Sequence, residues 1–189
     1  IQVMGENITW WRFDNAVDSK TCNKIIKLAE KKWETATTKG KEAQEHRKTN
    51  ISWTTEQWLF DLVFEYMRSA NQQAGWNFEV DAAESMQIGK YSKGCFYDYH
   101  TDGDGVTIYD KPENNWLHNK TRKLSMTILL NEDYEGGDFK FHGDDATALK
   151  EKEKGSVLVF PSYMQHCVEK VTKGNRYSLV VWFLGPSFR

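Results

Sequence analysis

A chain of 189 residues and 22.0 kDa has the volume for one domain, 1–189, and should bury roughly 70% of its unfolded surface. Its 25 basic and 27 acidic side chains leave a net charge of −2, so no global positive field exists to hold nucleic acid or an anionic membrane. A mean hydropathy of −0.70 argues against a membrane protein, because runs such as Leu179 to Leu184 fall far short of the ~20 apolar residues of a spanning helix.

The chain opens on Ile1, so Met4 reads as the natural start, and residues 1–7 lack the charged and apolar regions of a signal peptide. Cys22, Cys95 and Cys167 are too scattered for a disulfide framework or a zinc knuckle, which points to a reducing, cytoplasmic setting. Cys22, Ile25, Ile26, Ala29 and Trp33 recur at helical spacing and predict an amphipathic helix beginning near Asp18 or Ser19. Residues 34–50 are polar and read as a surface loop. A second helix is expected from a capping box of Thr54 and Gln57, stapled by Trp53 and Trp58. Its core face would be Leu59, Leu62, Val63, Tyr66, Met67, Ala70 and Ala74, with Gly75 as its stop.

After Gly75 the period changes to that of strands. Met86 and Ile88 alternate with polar neighbours, and β-rich runs follow at 123–130, 138–141, 155–160, 167–171 and 176–184. Gly136-Gly137 and Gly174-Asn175 punctuate them as turns. Helices (about 1–75) followed by many short strands (about 84–184) define an α+β fold, with the helices packed on one face of an antiparallel sandwich or barrel. The stretch from Gly103 to Thr121 has no periodicity and is rich in Asp, Asn, Gly and Trp. It is a lid or binding-loop candidate that carries Tyr109 and Trp116.

In an extended segment, His100 and Asp102 point to the same side, so an imidazole and a carboxylate converge. His166, after the Phe160-Pro161-Ser162 corner, is the candidate third ligand of a 2-His-1-carboxylate triad, a donor set that suits Fe(II) and leaves positions open. A His followed two residues later by an acid is common by chance. Arg176 strengthens the pattern: a strand, a turn at Lys173-Gly174-Asn175 and a returning strand would bring its guanidinium beside the metal, where it could bind a carboxylate bidentately. Asp104 shares the face of Asp102, but flanking glycines break the strand. His46, His118 and His142 read as surface residues. Cys167 should point away from His166.

The segment Tyr91-Ser-Lys-Gly-Cys-Phe-Tyr97-Asp-Tyr-His100-Thr-Asp102 resembles the Y-x-x-G-x-x-Y-x-x-H-x-D pattern of the Fe(II)/2-oxoglutarate-dependent prolyl 4-hydroxylases. Arg122 to Asn131 with Gly136-Gly137, Gly155 to His166, and Asn175 to Trp182 are similar to the family's later blocks, in the same order. The resemblance implies a double-stranded β-helix (jelly roll) with N-terminal helices. It implies Fe(II) on His100, Asp102 and His166, and the distal carboxylate of 2-oxoglutarate on Arg176 with Tyr91 as a further contact. It places Tyr97, Arg122 and Trp182 on the substrate side, to which Trp116 would be added by the lid. O2 as co-substrate and ascorbate as reductant follow from the same resemblance. So does a peptide or protein substrate hydroxylated at proline, with 2-oxoglutarate converted to succinate and CO2. Leu129 departs from relatives that carry a co-substrate tyrosine at its position. The rival readings are the same cofactors acting on a free amino acid or small metabolite, and a non-catalytic jelly-roll binding module.

Overall fold

The computed structural model describes residues 8–36, 43–143 and 153–188. The expected start at Met4 lies outside these residues, as does most of the charged run 150–154. After a short strand β1 (Trp11–Phe13), helix α1 (Ser19–Leu28) forms where its apolar stripe predicts it. The Asp18 carboxylate caps it by accepting from the Thr21 amide at 2.8 Å, and Cys22 and Ile25 are buried. Trp33 lies beyond the helix end and packs its ring 6.1 Å from that of Tyr177.

The polar stretch 34–50 is not simply a surface loop. It holds β2 (Glu34–Thr35), a short α2 (Ala43–His46), β3 (Arg47–Lys48) and the start of β4 (Asn50–Thr54). Strand β4 alternates apolar Ile51 and Trp53 with polar Asn50, Ser52 and Thr54, and it pairs with β2 on one side and β6 (Met86–Ser92) on the other. Helix α3 (Gln57–Gln73) starts later than the capping box requires. Glu56 is its N-cap without a side-chain cap bond, while Thr54 ends β4 and accepts from the Glu56 amide at 3.4 Å. The two indoles find different partners, Trp53 lying 6.2 Å from the Trp182 ring and Trp58 under the Lys24 ammonium at 3.8 Å. The predicted core face holds: Leu59, Val63, Met67 and Ala70 are buried, and Gly75 takes φ +73° at the stop.

The remaining strands are β5 (Ala82–Ala83), β7 (Phe96–His100), β8 (Thr121–Leu129), β9 (Tyr134–Gly136), β10 (Phe139–Phe141), β11 (Val157–Pro161), β12 (His166–Val168) and β13 (Val171–Gly185). They form two antiparallel sheets among the described residues. The larger runs β1-β11-β8-β13-β6-β4-β2, with β5 and β9 also on β13, and the smaller runs β10-β12-β7-β3. Alternation divides the larger sheet between two cores. Leu179, Val181 and Phe183 of β13 pack with α1 and α3, whereas Leu158 and Phe160 of β11 face Phe139, Phe141 and Val168 of the smaller sheet. This is the expected jelly roll with helices on its outer face.

Two expected turns are something else. Gly136-Gly137 is not a hairpin, because β9 pairs with β13 and β10 with β12; the two glycines carry the chain from one sheet to the other. Nor does the chain reverse at Lys173-Gly174-Asn175. Strand β13 runs through it, pairing first with β9 and then with β6, and Gly174 (φ +72°) lets the backbone bend within the strand.

Candidate metal and co-substrate site

The smaller sheet sets His100 and His166 side by side, because β12 pairs with β7 in the register that opposes them. Asp102 follows β7 and is fixed from behind: its amide and that of Gly103 both donate to the Ser162 carbonyl at 3.0 Å. The Nε2 atoms of His100 and His166 lie 3.4 and 3.6 Å from the two carboxylate oxygens of Asp102. The three donor groups fall within 4.8 Å of one another.

The hydrogen bonds behind the rings decide what these nitrogens can do. His100 Nδ1 lies 2.7 Å from the Asp98 carbonyl and His166 Nδ1 lies 2.9 Å from the Met164 carbonyl. A carbonyl only accepts, so each Nδ1 carries the proton and each neutral ring turns a lone pair toward Asp102. Burial pushes the His166 imidazole down, favouring that neutral form, against the opposing pull of Asp102. Burial alone would raise the Asp102 carboxyl. The pull of the neighbouring His166 and His100 when they carry a second proton, together with the Ser125 hydroxyl, outweighs it and holds the group well below the usual carboxylate range. Two lone pairs and a carboxylate thus face one another in the wall of a pocket, an arrangement that a bound cation satisfies. This donor set fits Fe(II), with the second hydrogen bond of each imidazole fixing its ring as in other metal sites.

Rings enclose the triad. Tyr97 stacks on His100 at 3.5 Å, Phe139 on His166 at 5.2 Å, and Phe160 meets His166 edge-on. Arg176 lines the same pocket, opposite Tyr91 in the β13–β6 register and only 2% exposed. Its Nη1 donates to Ser178 Oγ at 3.2 Å, while its Nε is buried without a partner. No carboxylate among the described residues pairs with it. A buried guanidinium in that state is costly unless an anion completes it, so Arg176 fits the carboxylate of a co-substrate. Tyr91 lies beneath the guanidinium at 5.6 Å, and Tyr134 hydrogen-bonds to it.

Gly137 makes room for that arginine. It takes φ +66°, and a Cβ there would stand 2.9 Å from Val171 Cγ2 and 3.1 Å from Arg176 Cδ. Gly137→Ala should therefore cost ~2 kcal/mol from the left-handed backbone and the crowding together. Differential scanning calorimetry should show this as a fall of roughly 4–8 °C in Tm; an unchanged Tm would mean that the bend relaxes freely.

The substrate-side candidates separate. Tyr97 and Trp182 line the pocket. Arg122 does not: its Nε and Nη2 donate to the two Glu84 carboxylate oxygens at 2.6 and 2.7 Å, and its Nη1 to the Asp102 carbonyl at 3.0 Å. Its guanidinium covers the Trp182 ring at 4.1 Å. Trp116 is 54% exposed, donates to the Ala83 carbonyl at 2.9 Å and lines an outer groove beside α3, away from the triad. Asp104 is exposed and turned into its own loop, where hydrogen bonds from Thr107 and Val106 hold it at about 2. His118 is half-buried rather than exposed and accepts from the Lys111 amide at 3.1 Å. His46 pairs with Asp98 at the surface, and His142 is exposed against Tyr99. Cys167 lies outside the pocket that His166 lines, in a groove on the other side of the small sheet.

Sequence reasoning missed Arg47, Gln87, Glu84 and Tyr134. Arg47 lies over the Tyr97 ring at 4.5 Å and donates to Gln87 Oε1 at 2.8 Å at one end of the pocket. The unpatterned stretch around Arg47 carries no signal. Gln87, alternating with buried Met86 and Ile88, could have been read as facing a second interior.

Residues 86–184 match the model of the 2OG-Fe(II) oxygenase superfamily, and the triad and Arg176 all lie inside that span. The chain belongs to this superfamily, whose members use Fe(II), 2-oxoglutarate and O2. Among curated proteins it is similar to a PKHD-type hydroxylase of Picosynechococcus sp., with 31% identity over 100 residues, 52% of this chain and 41% of that one. A second relative is the PKHD-type hydroxylase YbiX of Shigella sonnei, with 28% identity over 95 residues, 49% of this chain and 40% of that one. The matched segment thus spans about two-fifths of these relatives' length. Among solved structures, the fold is similar to the viral collagen prolyl hydroxylase of Paramecium bursaria Chlorella virus-1. The TM-score is 0.68 at 16% identity, covering 96% of this chain and 97% of that one. A Pseudomonas putida prolyl-4-hydroxylase gives 0.68 at 18% identity, covering 93% and 91%.

Proposed function

We propose that the chain is a single-domain Fe(II)- and 2-oxoglutarate-dependent hydroxylase acting on prolyl residues of a peptide or protein. The observation that carries this reading is the pairing of the His100–Asp102–His166 donor set with an uncompensated, buried Arg176 in one pocket. The names of the curated relatives and of the fold's neighbours support prolyl hydroxylation in particular. When bound, iron supplies the oxidising chemistry that turns a C–H bond into C–OH as 2-oxoglutarate becomes succinate and CO2.

The protein's part follows from its side chains. His100, Asp102 and His166 hold the metal from one side and leave the side facing the pocket for co-substrates. Arg176 receives the distal carboxylate of 2-oxoglutarate through parallel N–H donors, with Tyr91 and Tyr134 fixing the guanidinium plane. Phe139 and Phe160 keep water from behind His166. Tyr97 and Trp182 offer flat aromatic walls, suited to a pyrrolidine ring held among apolar faces. Arg122 contributes by steadying Asp102 and Trp182 rather than by meeting substrate, and Trp116 has no part in the pocket. Ascorbate serves as a reductant in this reading, and three buried free cysteines suit a reducing compartment such as the cytoplasm. Among the described residues no helix is long and apolar enough to cross a membrane.

The test is aerobic incubation with Fe(II), 2-oxoglutarate, ascorbate and a panel of proline-rich peptides, with free L-proline alongside, read by mass spectrometry. A peptide should gain one oxygen atom at proline. Oxygen gained by free proline alone would move the substrate class to small molecules, and bound iron without any decarboxylation would leave a binding module.

A further inference from the structure

Glu84 lies between β5 and β6 and collects three donors. Two come from Arg122, and the third is the Tyr109 hydroxyl at 2.7 Å from Oε1. Tyr109 belongs to the 103–120 loop, whose root is Asp102 itself. The loop is pinched at its neck, where Tyr109 and the Asn119–Lys120 backbone exchange hydrogen bonds of 2.9 Å. Its outer half rests on the strip just before Glu84, through Trp116 on the Ala83 carbonyl and Lys120 on Asp81 at 3.0 Å. Arg122 closes the circuit by holding the Asp102 carbonyl. One carboxylate therefore reaches both the middle of the loop and, through one guanidinium, the backbone of a metal ligand. The ion pair is bidentate and largely shielded, with side-chain exposures of 21% and 15%, so its geometry is well defined. Burial pushes the Tyr109 phenol up to about 12, so its hydroxyl remains a donor throughout the working pH range.

We propose that Glu84 is a positioning residue that couples docking of the 103–120 loop to the placement of Asp102, so that the loop closes and the metal site tightens together. The proposal rests on the metal reading of the triad. Coupling of this kind is reciprocal: metal on the triad must favour the docked loop by the same factor by which the docked loop favours metal.

The experiment uses the full chain and Co(II) as the probe, with affinity from calorimetry and loop docking from hydrogen–deuterium exchange of peptides covering 103–120. In the wild type, Co(II) should slow exchange in the loop. Tyr109→Phe removes the loop's anchor on Glu84 and leaves those on Ala83 and Asp81 in place. It should speed loop exchange in the metal-free chain, weaken Co(II) by at least about fivefold, and shrink the slowing by Co(II) by the same factor, with the melting temperature unchanged. Glu84→Gln turns one carboxylate oxygen into a donor facing Arg122 and should weaken Co(II) by roughly 10-fold or more. Faster loop exchange in Tyr109→Phe with unaltered Co(II) affinity would overturn the coupling, as would a loop whose exchange ignores Co(II) in the wild type. A wild-type chain that takes up no Co(II) would instead overturn the metal reading and the coupling with it. The metal-free exchange arm separates that outcome from a loop that was never latched.

Discussion

Arg176→Met should weaken 2-oxoglutarate binding to the metal-loaded chain by roughly 30- to 3,000-fold. The guanidinium is buried, lacks a counter-ion among the described residues and keeps an unpartnered Nε. Deleting one side of a buried charge pair costs about 2–5 kcal/mol, because the other charge is left desolvated and alone, and 1.4 kcal/mol is tenfold in affinity. The same logic gives the substitution a second, opposite signature. Without co-substrate the wild type bears the cost of the bare charge, so the methionine variant should lose little stability or gain some. With saturating 2-oxoglutarate the wild type should rise in Tm by linkage and the variant should not. Isothermal titration calorimetry and thermal melts with and without 2-oxoglutarate read both. An affinity within about threefold of wild type would remove Arg176 from the co-substrate site.

Asp102→Ala should abolish substrate-dependent succinate formation, and so should His166→Ala. Asp102 supplies the one charge between two imidazole lone pairs. Without it the site offers two neutral donors in a pocket whose remaining lining is mostly apolar. Replacing the partners that merely orient metal ligands typically costs 10–100-fold, so deleting a ligand should reach at least the upper end of that range. Fe(II) affinity and succinate yield are measured on the same preparations. Full turnover in either variant would strike that residue from the triad.

How much of this was legible in the sequence depends on whether a residue's role is set locally. His100 and Asp102 were legible because strand alternation alone puts them on one side. Arg176 was legible too, although by a wrong route: the expected turn at Gly174 does not exist, and the arginine reaches the pocket because β13 passes continuously from β9 to β6. The apolar faces of α1 and α3 followed from helical spacing. The α3 start did not, because Thr54 was claimed by the end of β4, whose five residues pair with β6. Arg47 lay in a stretch without any pattern, since β3 is two residues long and held by β7. The contacts of Arg122 were illegible for a related reason. Nothing in the sequence says that Glu84, 38 positions away, will meet it at 2.6 Å while the arginine's Nη1 reaches the Asp102 carbonyl.

The central claim is that one pocket holds both iron and 2-oxoglutarate and uses them together. The most direct measurement is proton NMR of 2-oxoglutarate incubated aerobically with the chain, with and without Fe(II), beside the Asp102→Ala and Arg176→Met variants. Succinate should accumulate only with Fe(II) and the wild-type chain, and rise further when a peptide that the chain hydroxylates is added as substrate. Intact 2-oxoglutarate beside an iron-loaded wild-type chain and a peptide from the panel, or equal succinate from the Asp102→Ala variant, would contradict it.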